Sequence, residues 1–273
     1  MSRFVVTLLV FLGGAGAASA QSGYDLMGSA RAAALGHATT ALPSAVGLHA
    51  NPGAGAAQDH RAAAVYAREG FGLSALRYGT AFVTVPMDWG ALSGGAGTFG
   101  FEDYREVHLD AGYARGFSFG TSRSVHVGVR LRYYHTRITN YGSAGALGLH
   151  LGLLVRLLPT LQFGAHATNI NAPSLTDGEV LPRTMAVGLK YEALSSVQVL
   201  VDVFKDLAFP PSVRGGLEYH PVPALALRSG VTTAPTQFTV GAGVDLGPIE
   251  AGVAAEQHQE LGWTPSASFL VAW

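Results

Sequence analysis

The stretch VHVGVRLRYY, Val125–Tyr134, decides how this chain is read. Val125, Val127, Val129, Leu131 and Tyr133 fall on one side of an extended chain, and His126, Gly128, Arg130, Arg132 and Tyr134 on the other. Strict alternation is the mark of a β-strand whose two faces meet different surroundings. The next segment repeats it: Leu147, Leu149, Leu151, Leu153, Val155 and Leu157 oppose Gly148, His150, Gly152, Leu154 and Arg156. Further along, Val197, Val199, Val201 and Val203 oppose Gln198, Leu200, Asp202 and Phe204.

Working outward, the same rhythm divides residues 61–273 into fourteen segments: 61–68, 73–85, 89–100, 105–118, 123–137, 144–157, 159–169, 182–191, 196–205, 211–220, 223–231, 236–245, 248–258 and 264–273. Connections after even segments are short, and those after odd segments are longer on average, the longest being 170–181. An even number of strands near ten residues, with short turns on one side and longer loops on the other, predicts an all-β fold: a fourteen-stranded antiparallel transmembrane β-barrel. The alternative is a soluble sandwich, which also alternates. Its outer face would carry lysine, yet lysine occurs only at Lys190 and Lys205. The chain ends on Ala267, Phe269, Val271 and Trp273, one apolar face closed by an aromatic residue. That resembles the terminal strand by which outer-membrane barrels are recognised for assembly.

Composition agrees. Charged residues are 13% of the 273, about half the usual ~25%. Lys+Arg 17 against Asp+Glu 18 gives no basic excess, which argues against nucleic acid as a partner. There is no cysteine, so disulfide scaffolds and thiolate metal sites are excluded. The first twenty residues read as a signal peptide: Arg3, an apolar run from Phe4 to Leu12, and a small-residue site at Ala18-Ser19-Ala20. The localisation this predicts is the bacterial outer membrane, with outer-membrane lipid as a partner.

Residues 21–60 do not alternate and form a separate N-terminal segment. Ser29 to Leu35 is a good helix former with Ser29 as cap and Gly36 as terminator. Pro43, Gly47 and Asn51-Pro52-Gly53 are turn-rich. Side chains of the strands cannot fill a fourteen-strand lumen. The segment is therefore expected to fold inward as a plug, with Arg31 paired to Glu218, Asp202 or Asp245. The expected plug motif is Gly28, Arg31, Gly36, Asn51 and Pro52.

These residues also carry a family resemblance. GSARAAALG at 28–36, Thr39-Thr40-Ala41 and Asn51-Pro52 resemble the opening of the PorV/PorQ family, relatives of the fatty-acid channel FadL. Arg31, Gly36, Asn51 and Pro52 match its pattern. His37 stands where a second glycine is common, Gly53 where alanine is usual, and Pro43-Ser44-Ala45 where the family carries an acidic stretch. Membership implies a non-enzymatic outer-membrane barrel acting in transport or type IX-like protein secretion, with secretion proteins or exported cargo as partners at loops 170–181 and 206–210. A FadL-like channel for small hydrophobic molecules is the alternative; a barrel enzyme or structural protein is a second.

The polar face of the strands supplies the expected lumen cluster: His108, Asp110, His126, Arg130, Arg132, His150, Arg156, His166, Asp202, Arg214, Glu218, Arg228 and Asp245. Glu256 and His258 share a face as well. Barrel interiors carry mixed charge that pairs across strands, and no tight ligand spacing points to a metal. Two short motifs invite an enzyme reading. Gly95–Gly100 spells GxGxxG and Gly116–Gly120 spells GxSxG, but neither stands between a strand and a helix. No catalytic residue, metal ligand or cofactor follows from the sequence.

Overall fold

The structure is a computed structural model that describes residues 28–45, 50–120, 122–176 and 179–273. The expected signal peptide at 1–20 lies outside the described residues. The described residues form sixteen strands: β1 (Ala62–Glu69), β2 (Arg77–Met87), β3 (Gly90–Gly100), β4 (Tyr104–Phe119), β5 (Arg123–Ile138), β6 (Gly142–Leu158), β7 (Leu161–Ala167), β8 (Ser174–Thr176), β9 (Glu179–Val180), β10 (Thr184–Leu194), β11 (Val197–Asp206), β12 (Ser212–Val222), β13 (Leu225–Thr233), β14 (Thr236–Asp245), β15 (Ile249–His258) and β16 (Gly262–Ala272). Fourteen close into one antiparallel barrel in chain order, with β16 against β1; β8 and β9 form a separate two-stranded hairpin inside the β7–β10 connection. Closure is completed by mutual backbone bonds between Arg61 and Trp273. Among the described residues no helix is long and apolar enough to cross a membrane.

The alternation in the sequence becomes an inside and an outside. On β5, Val127 and Leu131 are 43% and 45% exposed, whereas Arg130 and Arg132 are 0% and 1% exposed. The polar face is the interior and the apolar face is the surface, the reverse of a soluble sheet protein. Outward aromatics gather at two levels. Phe117, Phe119, Tyr191, Tyr219 and Phe269 mark the end where short turns join the strands; Tyr133, Phe238 and Trp263 mark the end with the longer loops. Paired aromatic girdles are a membrane-barrel feature.

Two predicted segments come out shorter. The segment expected at 73–85 begins as a strand only at Arg77, because Phe71 and Gly72 take positive φ and residues 70–76 form two 3-10 turns, held by Phe71 N–H donating to Thr264 Oγ1. The segment expected at 159–169 contracts to Leu161–Ala167, since Asn169 adopts φ 51° and turns the chain inward. At the N-terminus the predicted helix is present as α1 (Ala30–Ala34), capped by Ser29 Oγ, which accepts from Ala32 N–H at 3.2 Å.

Candidate functional site

The barrel interior is occupied by residues 28–45 and 50–57 of the chain's own N-terminal segment. α1 lies against β13, β14, β15 and β16, and the 3-10 turn Pro52–Ala57 lies against β2 to β6. Backbone meets backbone so closely that the wall must be glycine there. A Cβ on Gly230 would sit 2.2 Å from Gly36 N, on Gly128 2.3 Å from Pro52 C, and on Gly164 2.0 Å from Thr40 O. Gly36 itself has φ +61°, and a Cβ on it would reach 2.8 Å from Val231 N. The left-handed conformation and the close approach both exclude larger residues.

Polar bonds fix the register of this segment. Asn51 is fully buried; its Nδ2 donates to Thr40 O at 2.7 Å and Leu153 O at 2.8 Å, and its Oδ1 accepts from Gly53 N–H at 3.0 Å. Thr239 Oγ1 accepts from Gly36 N–H and donates to Ala34 O, serving the end of α1. Ala30 N–H donates to Ser268 Oγ at 3.2 Å. Gly28 has φ +132° and its Cβ position would face Ala32, just before the helix.

Charge is organised around carboxylates on the wall. Glu218 is the largest hub. Arg31 approaches it through Nε and Nη2, Arg228 donates from Nε at 2.6 Å, and Gln198 and His220 add further bonds. Arg228 also reaches Glu250 at 3.2 Å. Asp202 instead accepts Thr40 N–H at 2.9 Å. Glu256 joins His37 Nε2 at 2.7 Å and Arg68 at 3.3 Å. His37 takes φ 59°, a left-handed conformation that glycine adopts more readily. A fourth group lies nearer the long-loop end. Asp110 takes a two-pronged bond from Arg132 at 2.7 and 3.0 Å, His108 stands 3.7 Å away, and Arg130 bonds His150 at 3.1 Å.

Several predicted cluster members sit elsewhere. Asp245 is exposed and caps a turn by accepting Gly247 N–H at 2.8 Å, because the β14 end carries it past the wall. Arg156 is exposed near the end of β6 and makes no ion pair among the described residues. Arg214 stacks its guanidinium over Phe204 at 3.6 Å. His126 bonds Ala56 O and Ser124 rather than a carboxylate. His166 faces inward on β7 with its Nδ1 unpartnered. His258 accepts from the turn residues Glu260 and Leu261 and does not meet Glu256. Gly95–Gly100 runs within β3, and Gly116–Gly120 runs from β4 into a turn, so neither opens a helix. Among the described residues no three metal-ligating side chains gather.

Sequence reasoning missed the residues that interrupt the wall. β6 is seventeen residues long, but β7 pairs only with its 151–158 portion. Beyond Ala167 the wall between β6 and β10 is completed by residues of the connection, among them Asn169 to Asn171 and Leu181. Ile170 N–H donates to Leu149 O, and the Asn171 amide bonds Leu149 N–H and Leu147 O, standing in for a strand. Asn169 folds inward, accepting from Tyr134 OH at 3.1 Å and donating to Pro182 O at 2.7 Å. Leu181 closes the patch against Tyr134 and Ala146. At the foot of this interruption an apolar groove of about 470 Å³ runs along the outer wall, lined by Leu151, Leu153, Ala165, Ala167, Met185 and Val187. The alanines of β7 between the larger side chains of β6 and β10 create it.

No protein-family model matches the sequence, and no curated protein matches it either. Solved structures do share its fold. The chain is similar to the Ralstonia pickettii toluene transporter TbuX, at 12% identity over 90% of this chain and 97% of that one, TM-score 0.62. It is similar to the Pseudomonas putida toluene transporter TodX, at 11% identity over 90% and 96%, TM-score 0.62. A Pseudomonas aeruginosa FadL homologue gives 11% identity over 90% and 97%, TM-score 0.56. The barrel thus shares its fold with these structures.

Proposed function

We propose that this chain is a non-enzymatic outer-membrane channel that admits small hydrophobic molecules, with residues 28–45 and 50–57 acting as an internal plug. The observation that carries this reading is the interrupted wall between β6 and β10. Asn169 and Leu181, folded inward against Tyr134, close it, and an apolar groove lies at its foot. An apolar solute gains nothing from a water-filled pore. It gains from a path between an apolar outer face and a shielded interior. The fold shared with structures named as toluene transporters supports a monoaromatic hydrocarbon as the first probe.

The inward-folded residues around Asn169 are the movable part in this reading. The chain has no cysteine, which makes a cross-link easy to place. A Cβ on Gly148 would lie 3.3 Å from Asn169 Cγ, close to where a cysteine at 169 would place its sulfur. In cells expressing Gly148→Cys/Asn169→Cys, oxidation lowers toluene uptake and reduction restores it. Uptake that ignores the redox state, with the cross-link verified, overturns the proposal.

The PorV/PorQ resemblance carries a second reading, in which the barrel receives exported proteins. Its support is the N-terminal motif, whose Arg31, Gly36, Asn51 and Pro52 all hold defined positions against the wall. Mass spectrometry of material co-purified in detergent separates the two: an exported protein favours secretion, and a small apolar ligand favours the channel.

A further inference from the structure

On the outer face of the barrel, Arg105 of β4 and Arg137 of β5 stand directly opposite each other in the antiparallel ladder. Their strand neighbours Glu106 and Thr136 point inward, so both arginines face outward, and both are exposed. Neither side chain forms an ion pair or hydrogen bond with any described residue. Two like charges directly opposite on one sheet face are destabilising on their own. The row continues with Gly100 beside Arg105 and Ser143 beside Arg137. Both are small and leave the guanidinium groups uncovered. Arg77, outward at the start of β2, adds a third positive charge at this rim, held by Glu69 at 3.4 Å.

Height along the strand identifies what lies between them. Tyr133 is the outward aromatic of β5 at the long-loop end. Arg137 is four residues further, about 13 Å of strand at ~3.3 Å per residue. On a tilted strand that carries the side chains from the girdle into the headgroup layer. The short-turn end, where both chain termini of the barrel meet, faces the periplasm in outer-membrane barrels. The arginine pair then lies in the outer leaflet.

We propose that Arg105 and Arg137 form a binding site for a phosphate of an outer-leaflet phosphoglycolipid such as lipid A. This rests on the outer-membrane reading above. Guanidinium forks match phosphate oxygens in paired hydrogen bonds, and one phosphate between two arginines turns their repulsion into a shared attraction. The acyl chains of the lipid then cover Leu109 and Leu131 below.

The test uses the full chain folded in detergent, with lipid A as probe and native mass spectrometry as readout. Arg105→Gln/Arg137→Gln should weaken lipid A retention about tenfold or more, the scale of losing charge-assisted bonds. Arg115→Gln/Arg123→Gln removes the same charge from the same strands at the other rim and should leave retention unchanged. Heat-modifiable gel mobility verifies folding of each variant. Lipid A stripped of both phosphates should bind the native chain as weakly as intact lipid A binds the double variant. Equal loss from the two double variants, or equal binding of the stripped lipid, overturns the site. Inorganic phosphate competing as well as lipid A overturns the lipid assignment. A native chain that fractionates away from the outer membrane overturns the outer-membrane reading together with this one.

Discussion

Arg31 Nε and Nη2 meet the two carboxylate oxygens of Glu218 at 2.8 and 2.7 Å, joining the N-terminal segment to β12 across 187 residues of sequence. The two partners are unequal. Glu218 is fully buried and also holds Arg228, whereas Arg31 keeps 22% of its side chain exposed. Removing Arg31 leaves Glu218 with Arg228, Gln198 and His220. Removing Glu218 leaves two cations around an empty centre. Glu218→Ala should therefore cost about 3–5 kcal/mol, as expected when a buried pair loses one member, and Arg31→Ala distinctly less. Urea unfolding in detergent checks the order. Equal costs would show that Arg228 does not depend on Glu218.

Gly230 tests whether the wall is shaped around the N-terminal segment. Its Cβ position lies 2.2 Å from Gly36 N and 2.4 Å from Leu35 C, both backbone. Gly252, also on the barrel wall, has only ordinary contacts beginning at 3.5 Å. Gly230→Ala should displace residues 34–37 and cost about 1–3 kcal/mol as overpacking, while Gly252→Ala stays near native. A cysteine at Ala33, now fully buried, reports this directly. Maleimide should label Ala33→Cys faster in the Gly230→Ala background than with Gly252→Ala.

Asn51 gives a prediction whose sign depends on donors and acceptors. Its Nδ2 supplies two carbonyl oxygens, Thr40 O and Leu153 O. Asn51→Ala loses three bonds and should cost roughly 2 kcal/mol or more at ~0.5–1.5 kcal/mol each. Asn51→Asp keeps the bond to Gly53 N–H but turns a charged oxygen toward two carbonyls in a buried site. It should be worse than alanine despite its closer shape. Hydrogen exchange over residues 50–57 reads both, with faster exchange in Asn51→Asp.

The strands were legible because polar inward residues on β5 alternate with apolar outward ones, from His126 and Val127 to Arg132 and Leu131. A period of two survives any tertiary context that keeps one face wet or charged and the other apolar. The helix was legible from Ser29 and the alanine run. The interrupted wall was not. Asn169 reads as a polar loop residue, and its left-handed turn toward Tyr134 depends on a partner thirty-five residues away. Thr40 was equally silent, since its backbone contacts with Asp202 and Gly164 need the barrel to be closed. For Asp245 and Arg156 the alternation gave the face correctly, but not the height at which a strand leaves the wall.

Leu131 tests the surroundings of the barrel itself. It lies outward near the middle of β5, 45% exposed, opposite Ala111 on β4 and Leu149 on β6. In water an exposed leucine replaced by arginine costs little and improves solubility. At the midplane of a bilayer the same change costs about 2–4 kcal/mol, falling toward zero at the interfaces. Leu131 lies two residues inside the girdle aromatic Tyr133, so Leu131→Arg should destabilise the chain folded into phospholipid vesicles by about 1–2 kcal/mol, between the midplane and interface values. Ser143→Arg, outward beside Arg137 at the rim, should cost far less. Reversible unfolding in vesicles measures both, and the same pair in a non-ionic detergent controls for packing. A Leu131→Arg penalty no larger than that of Ser143→Arg would place the outer face of β5 in water and remove the bilayer from the account.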